Sequence, residues 1–138
     1  MKSDGPILII GYYGIGKSTV QELRPELDIF DLHNVEEMGY LVKNIEHKYV
    51  VADPKWVEVF SEYAKEHNRW FYVVVPSLDR KTEFLENYQT RKHGMTSKNF
   101  VKRRSEAWEK EITALRDIPN ASVIELRSGF LADIIERL

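Results

Sequence analysis

A short glycine-rich segment near the amino terminus constrains the fold more than any other feature. Residues 11–18 read Gly-Tyr-Tyr-Gly-Ile-Gly-Lys-Ser and match the pattern G-x-x-x-x-G-K-[ST]. The segment directly follows Ile7 to Ile10, a continuous apolar run that is typical of a strand buried on both faces of a sheet. A helix is expected to begin near Lys17 and to end before Pro25. A buried strand, a glycine-rich turn and a helix in this order predict a loop that surrounds a chain of phosphates.

The residue types of this loop suit a nucleoside triphosphate with Mg²⁺. Glycines let the backbone curl so that successive N–H groups point at phosphate oxygens, and the helix adds its positive dipole end. Lys17 would neutralise the β- and γ-phosphates, and the Ser18 hydroxyl would bind Mg²⁺. We therefore expect ATP as co-substrate and Mg²⁺ as cofactor, with binding residues Gly11, Tyr12, Tyr13, Gly14, Ile15, Gly16, Lys17, Ser18 and Thr19. The alternative interpretation is a glycine-rich turn that binds no ligand.

The rest of the chain alternates between strand and helix patterns, which predicts one α/β domain over residues 1–138. Further strands are expected at 27–31, 48–53, 70–75 and 122–126. Helical spacing of apolar residues separates them, and a closing helix is expected from Gly129 to Leu138. Because crossovers between parallel strands are right-handed, helices should cover both faces of a parallel sheet. Ligands of such sheets bind beyond the carboxyl ends of the strands, where the glycine-rich loop lies.

Composition excludes several kinds of site. The chain has no cysteine, which removes disulfides, thiolate zinc sites and thiol nucleophiles. Its formal charge of −2 gives no overall attraction to nucleic acid or to an anionic membrane. The four histidines are scattered and predict no metal site, although His33 lies where an acceptor could bind. No apolar segment approaches the length of a membrane span, so we expect a cytoplasmic protein without a membrane partner.

Beyond the loop, the sequence resembles small P-loop kinases of the nucleoside monophosphate kinase type, and in style the short phage-encoded nucleotide kinases. The likeness rests on Val73-Val74-Val75-Pro76, on Tyr88-Gln89-Thr90-Arg91, and on a helix from Phe100 through Trp108 with a central tryptophan. Two features depart from that pattern. The second strand is followed by Asp31-Leu32-His33-Asn34 instead of an acidic or serine-rich sequence, and the lid, at about 92–97, is very short.

The resemblance implies a three-layer P-loop NTPase fold. Its sheet would have five parallel strands in the order 2-3-1-4-5, with helices on both faces and a short lid. It also implies transfer of the γ-phosphate of ATP to a small acceptor, a nucleotide or a nucleoside. In related kinases the turn after the fifth strand, here Arg127-Ser128-Gly129, holds the nucleotide base.

Basic residues cluster around the predicted lid. The stretch 80–104 contains eight lysines and arginines against two glutamates. By resemblance, Arg91 before the lid and Arg103 or Arg104 after it would reach the phosphates, with Arg91 and Arg104 in catalytic roles beside Lys17. The alternative is a solvated helix face, which is how most charge runs behave.

Two aspartates follow predicted strands and each has two interpretations. Asp31 either binds the acceptor or acts as its general base, or it is a turn or cap residue ahead of Asn34. Asp53 either holds a water on Mg²⁺, or caps the helix that begins at Pro54.

Two further functions stay open at the level of sequence. One is a nucleotide-binding regulatory module with little turnover, which the short lid favours. The other is a polynucleotide end kinase, whose basic lid would hold a phosphate backbone. The acidic overall charge and the small size count against nucleic acid as a partner.

Overall fold

The computed structural model describes residues 6–32, 48–90 and 97–138. Within these ranges lies one sheet of five strands, in which every neighbouring pair is parallel and the order is β2-β3-β1-β4-β5. The predicted sheet and its strand order are therefore confirmed. The strands are β1 (Ile7–Gly11), β2 (Ile29–Asp31), β3 (Tyr49–Ala52), β4 (Phe71–Pro76) and β5 (Ala121–Leu126).

Helices cover both faces of the sheet, as the alternating sequence pattern predicts. The described helices are α1 (Lys17–Leu23), α2 (Val57–Glu66), α3 (Lys81–Thr90) and α4 (Lys98–Arg116). The side chain of Ser97 caps α4 by accepting a hydrogen bond from the amide of Phe100 at 3.1 Å. Arg91, His33, the expected helix after Asn34 and the predicted lid before Ser97 lie outside the described residues.

The apolar runs form the central strands because both sides of these strands face helices. All four residues of β3 are buried, and Ile9 and Ile10 of β1 have no exposed surface. A continuous apolar run is the pattern expected of a parallel strand covered on two sides. Trp70, the first residue of the strand predicted at 70–75, lies just before β4 and is 68% exposed.

The closing segment differs from its predicted helix. Residues 129–138 form two short 3₁₀ turns, Leu131–Asp133 and Ile135–Arg137. The carboxylate of Asp133 turns back and accepts a hydrogen bond from the amide of Phe130, while Leu131 and Ile135 are fully buried. Apolar residues four apart therefore enter the core as in a helix, but the backbone is held in tighter turns by this internal hydrogen bond and by one from Leu131 to Ile15.

Candidate phosphate-binding site

The loop between β1 and α1 has the curled backbone that the motif predicts. Gly14 and Gly16 adopt φ values of 88° and 95°, a left-handed conformation that favours glycine. At Gly14, a Cβ atom would also lie 2.7 Å from the ring of Tyr88. Gly16 is the residue that precedes α1, so the amides of the first helical turn open towards the loop. The sequence therefore predicts this local conformation correctly.

Lys17 holds its ammonium group over the loop. Its Nζ donates to the carbonyl oxygens of Gly11 at 3.0 Å and Tyr12 at 3.2 Å. A positive charge is thus kept beside the curled backbone, where a polyphosphate would bring negative charge. Ser18 and Thr19 are the next two residues of α1. The ligand roles of these three residues stay predictions.

The two tyrosines at the variable positions of the loop pack inwards to different depths. Tyr12 is fully buried, and its hydroxyl donates to Oε1 of Glu111 on α4 at 2.7 Å. Burial raises the pKa of the Tyr12 phenol, and the hydrogen bond to Glu111 raises it further. Tyr13 is half-buried, and its carbonyl accepts a hydrogen bond from the hydroxyl of Tyr88 at 2.6 Å. The loop is therefore attached to α3 and α4 by side chains outside the motif.

Arg104 lies against the loop, inside the protein. It is 5% exposed, its Nη1 donates to Oε2 of Glu111 at 3.0 Å, and its guanidinium lies 4.5 Å from the ring centroid of Tyr13. Burial raises the pKa of the Tyr13 phenol, and the charge of Arg104 opposes that rise. Arg103, the next residue of α4, is exposed. Direct contact of either arginine with phosphate stays a prediction.

Sequence reasoning missed Glu111, although the helical period contains a signal for it. Arg104, Trp108 and Glu111 are four and then three residues apart on α4, so they share one face of the helix. The indole Nε1 of Trp108 donates to the carbonyl of Leu78 at 3.0 Å, which fixes that face against the end of β4. Glu111 lies on the same face of α4 as the buried Trp108. Its carboxylate has two partners there, Arg104 and Tyr12.

Of the two aspartates, Asp53 lies nearer to the start of the loop. It directly follows Ala52, which pairs with Ile10 of the neighbouring strand β1. Asp53 caps the 3₁₀ turn that begins at Pro54, because its Oδ1 accepts a hydrogen bond from the amide of Lys55 at 3.2 Å. The capping interpretation is therefore confirmed, and it leaves the second carboxylate oxygen of Asp53 for other partners.

Asp31 lies farther from the loop, at the end of the edge strand β2. It pairs in register with Val51, which in turn pairs with Ile9, two residues before Gly11. Because β3 lies between β2 and β1, the backbone of Asp31 is about 10 Å from β1, two strand spacings. Asp31 is half-buried. This position suits a carboxylate that contacts an acceptor rather than the triphosphate.

The residues beside the loop fit a magnesium ion. Mg²⁺ prefers oxygen ligands and is usually held by one or two protein groups together with phosphate oxygens and water. Asp53, which directly follows the strand paired with β1, supplies one such oxygen beyond the one used in capping. Within the described ranges, no group of three or more carboxylate or imidazole side chains could hold a metal ion unaided.

A cavity of about 240 Å³ adjoins the loop on the side of β5. Gly14, Gly16 and Thr19 form one wall, and the second wall belongs to the closing segment. The lining is mostly apolar with a few polar groups, which is typical of small-molecule sites. The second wall consists of Phe130, Ala132 and Asp133, with Leu23 and Asn87 completing the lining. The second wall directly follows Arg127-Ser128-Gly129, where the resemblance implies a base site; the Arg127 side chain itself is 87% exposed.

The fold and the loop together define a class: the chain has the fold of the P-loop kinases. Among solved structures, it is similar to a gluconokinase from Sinorhizobium meliloti 1021, with a TM-score of 0.50 and 16% sequence identity over 99% of this chain and 90% of that chain. At this identity the similarity concerns the fold. No protein-family model matches the sequence, and no curated protein matches it. In the part of the chain that the structure describes, no helix has the length and apolarity needed to cross a membrane.

Proposed function

We propose that the chain binds ATP with Mg²⁺ at the loop 11–18 and transfers the γ-phosphate to a small acceptor. The observation that carries this proposal is the loop itself, whose curled glycines and inward Lys17 lie between a buried parallel strand and a helix. Phosphoryl transfer requires mainly positioning and positive charge, and this arrangement supplies both without a nucleophile from the protein.

Each part of the site has a role in this proposal. The backbone amides of the loop and the ammonium of Lys17 bind the β- and γ-phosphates, and the nucleoside occupies the cavity beside Gly16. Ser18 and Asp53 would hold Mg²⁺, which neutralises charge on the phosphates when it is bound. Arg91, Arg103 and Arg104 are the candidates for stabilising charge on the transferred phosphoryl group.

The acceptor would bind near the ends of β2 and β3. Asp31 takes the proton from an acceptor hydroxyl, the hydroxyl oxygen forms a bond to the γ-phosphorus, and the bond to the β-phosphate oxygen breaks to release ADP. A nucleoside or nucleotide is our first choice of acceptor. Gluconate belongs in the same test because the solved structure of similar fold is named a gluconokinase.

Labelled phosphate transfer tests this function directly. The protein is incubated with γ-labelled ATP and Mg²⁺ beside a panel of nucleosides, nucleoside monophosphates, gluconate and short oligonucleotides. We expect label on one small acceptor, and a loss of at least about 100-fold in Lys17→Ala, as for other groups that stabilise transition-state charge. Lys81→Ala is the matched control, because it removes a lysine from the basic stretch without touching the loop.

The other outcomes separate the alternatives. ATP binding that requires Lys17 without transfer to any acceptor would favour the regulatory module. Label on oligonucleotide ends, with binding that weakens steeply as salt rises, would favour the end kinase. Absence of ATP binding to the wild-type protein contradicts all three.

A further inference from the structure

Arg80 lies in an unusual environment for a residue of a basic stretch. It is 7% exposed, just before α3, and four of its five N–H groups donate hydrogen bonds. Nε and Nη2 donate to the two oxygens of Glu83 at 2.9 Å and 2.7 Å. The charge of Arg80 is therefore compensated by the half-exposed Glu83, and these hydrogen bonds lower the pKa of the Glu83 carboxyl.

The remaining hydrogen bonds of Arg80 go to the turn after β5. Nη1 donates to the carbonyl of Leu126 at 3.1 Å and to that of Gly129 at 2.9 Å. The guanidinium also lies 5.0 Å from the ring centroid of Phe84 and 5.3 Å from that of Phe130. A single side chain thus joins the start of α3 to both ends of the turn 126–129 and to the aromatic residue that follows it.

That turn leads into one wall of the cavity beside the phosphate loop. Phe130 and Asp133 line the cavity, and the amide of Leu131 donates to the carbonyl of Ile15 in the loop at 2.9 Å. A Cβ atom at Gly16 would lie 3.5 Å from Cβ of Phe130. Arg80 therefore holds the turn that runs directly into this wall of the cavity.

We propose that Arg80 is a positioning residue for the nucleoside half of the bound triphosphate, and that it does not bind phosphate. This inference rests on the proposed function, because it assigns the cavity to the nucleoside. Arginine is required because its planar fork donates to a carboxylate and to two carbonyls at once. A lysine at this position keeps the charge but cannot make that set of hydrogen bonds.

The test compares a ligand that has a nucleoside with one that lacks it. Calorimetry measures the affinity of Arg80→Lys and wild type for ATP and for inorganic tripolyphosphate, both with Mg²⁺. We expect the affinity for ATP to fall about tenfold and that for tripolyphosphate to change by less than about twofold. A residue that binds phosphate would weaken both ligands, and a general loosening of the fold would do the same.

Two further variants keep the test decisive. Glu83→Gln retains Arg80 but weakens its main partner at a half-exposed position, so it should fold and lower ATP affinity selectively by a smaller factor. Arg137→Gln removes an exposed arginine from the closing segment and should change neither affinity. Equal losses for ATP and tripolyphosphate, or no loss in either Arg80→Lys or Glu83→Gln, overturn the inference. A wild-type protein that binds neither ligand contradicts the proposed function instead.

Discussion

At the scale of single residues, Tyr12 connects the phosphate loop to α4. Its ring lies edge-on to Trp108 at a centroid distance of 5.5 Å, and its hydroxyl donates a hydrogen bond to Glu111. The phenol therefore sits between an aromatic ring and a carboxylate, in an environment that strongly disfavours loss of its proton. The stability of the protein at alkaline pH should depend on this residue.

Tyr12→Phe should change how stability depends on pH. In the unfolded chain a tyrosine loses its proton near pH 10, whereas Tyr12 in the folded protein keeps it at higher pH. The contribution of this group is fully present below about pH 10 and is lost as pH rises towards the folded pKa, since the unfolded state then binds fewer protons. At neutral pH the variant loses about 1 kcal/mol through its missing hydrogen bond. Above pH 10, its free energy of unfolding should fall less steeply than that of the wild type.

Urea unfolding at several pH values between 7 and 11 measures both effects. Tyr72→Phe is the control, because Tyr72 lines a different cavity, at the amino end of the sheet. If the free energy of unfolding falls equally steeply above pH 10 in Tyr12→Phe and in the wild type, the pKa of the phenol does not differ between the folded and unfolded states.

Single residues also show where sequence reasoning is limited. The motif alone predicts the positive φ values of Gly14 and Gly16, because the backbone requirement is local. Arg80 and Arg104 belong to one basic stretch and look equivalent in the sequence, yet each is buried and forms an ion pair with a different glutamate. Their partners on the turn after β5 and on the loop are distant in the chain, so no local pattern identifies them.

At the scale of elements, Asp53 lies at the start of the segment that leads into α2. It has a structural role there and a proposed chemical one. Asp53 caps this start through one carboxylate oxygen, directly beside the phosphate loop. Asparagine and aspartate cap helices about equally well, whereas only aspartate carries a charge for Mg²⁺. Substitution can therefore separate the two roles.

Asp53→Asn should preserve stability within a few tenths of a kcal/mol and weaken the Mg²⁺ dependence of ATP binding. Asp53→Ala should lose about 1 kcal/mol as well, because it removes the cap. Ser97→Ala is the matched control: it removes the cap of α4 and should lower stability without changing the response to Mg²⁺. Mg²⁺ titrations of ATP affinity, with urea unfolding of each variant, measure these effects. An unchanged Mg²⁺ response in Asp53→Asn leaves capping as the function of this residue.

Elements were predictable from the sequence where the pattern acts locally. The central strands follow from continuous apolar runs, and α4 follows from its cap at Ser97 and its apolar period. The closing segment was not predictable, because its 3₁₀ turns depend on Asp133 meeting the amide of Phe130 and on Leu131 meeting Ile15. The strand order came from resemblance to a family rather than from any pattern in the strands.

At the scale of the whole molecule, the phosphate loop is attached to several layers of the fold. Tyr12 contacts α4, Tyr88 of α3 donates to Tyr13, and Leu131 of the closing segment donates to Ile15. The amide of Tyr12 itself donates to Val74 of β4 at 3.0 Å. A ligand that binds the folded loop should therefore stabilise the entire domain against unfolding, because the loop does not persist when these layers separate.

Thermal unfolding with MgATP measures this coupling. At a ligand concentration about 100 times Kd, the free energy of unfolding should rise by about 2.7 kcal/mol, which corresponds to roughly 10 °C in Tm for a domain of this size. Lys17→Ala should lose most of this shift, and its own Tm without ligand is the reference from which its shift is measured. Adenosine at the same concentration should give a much smaller shift, because it offers the loop no phosphate. If MgATP and adenosine shift Tm equally, binding depends on the nucleoside cavity alone, and the loop is not the site that holds the phosphates.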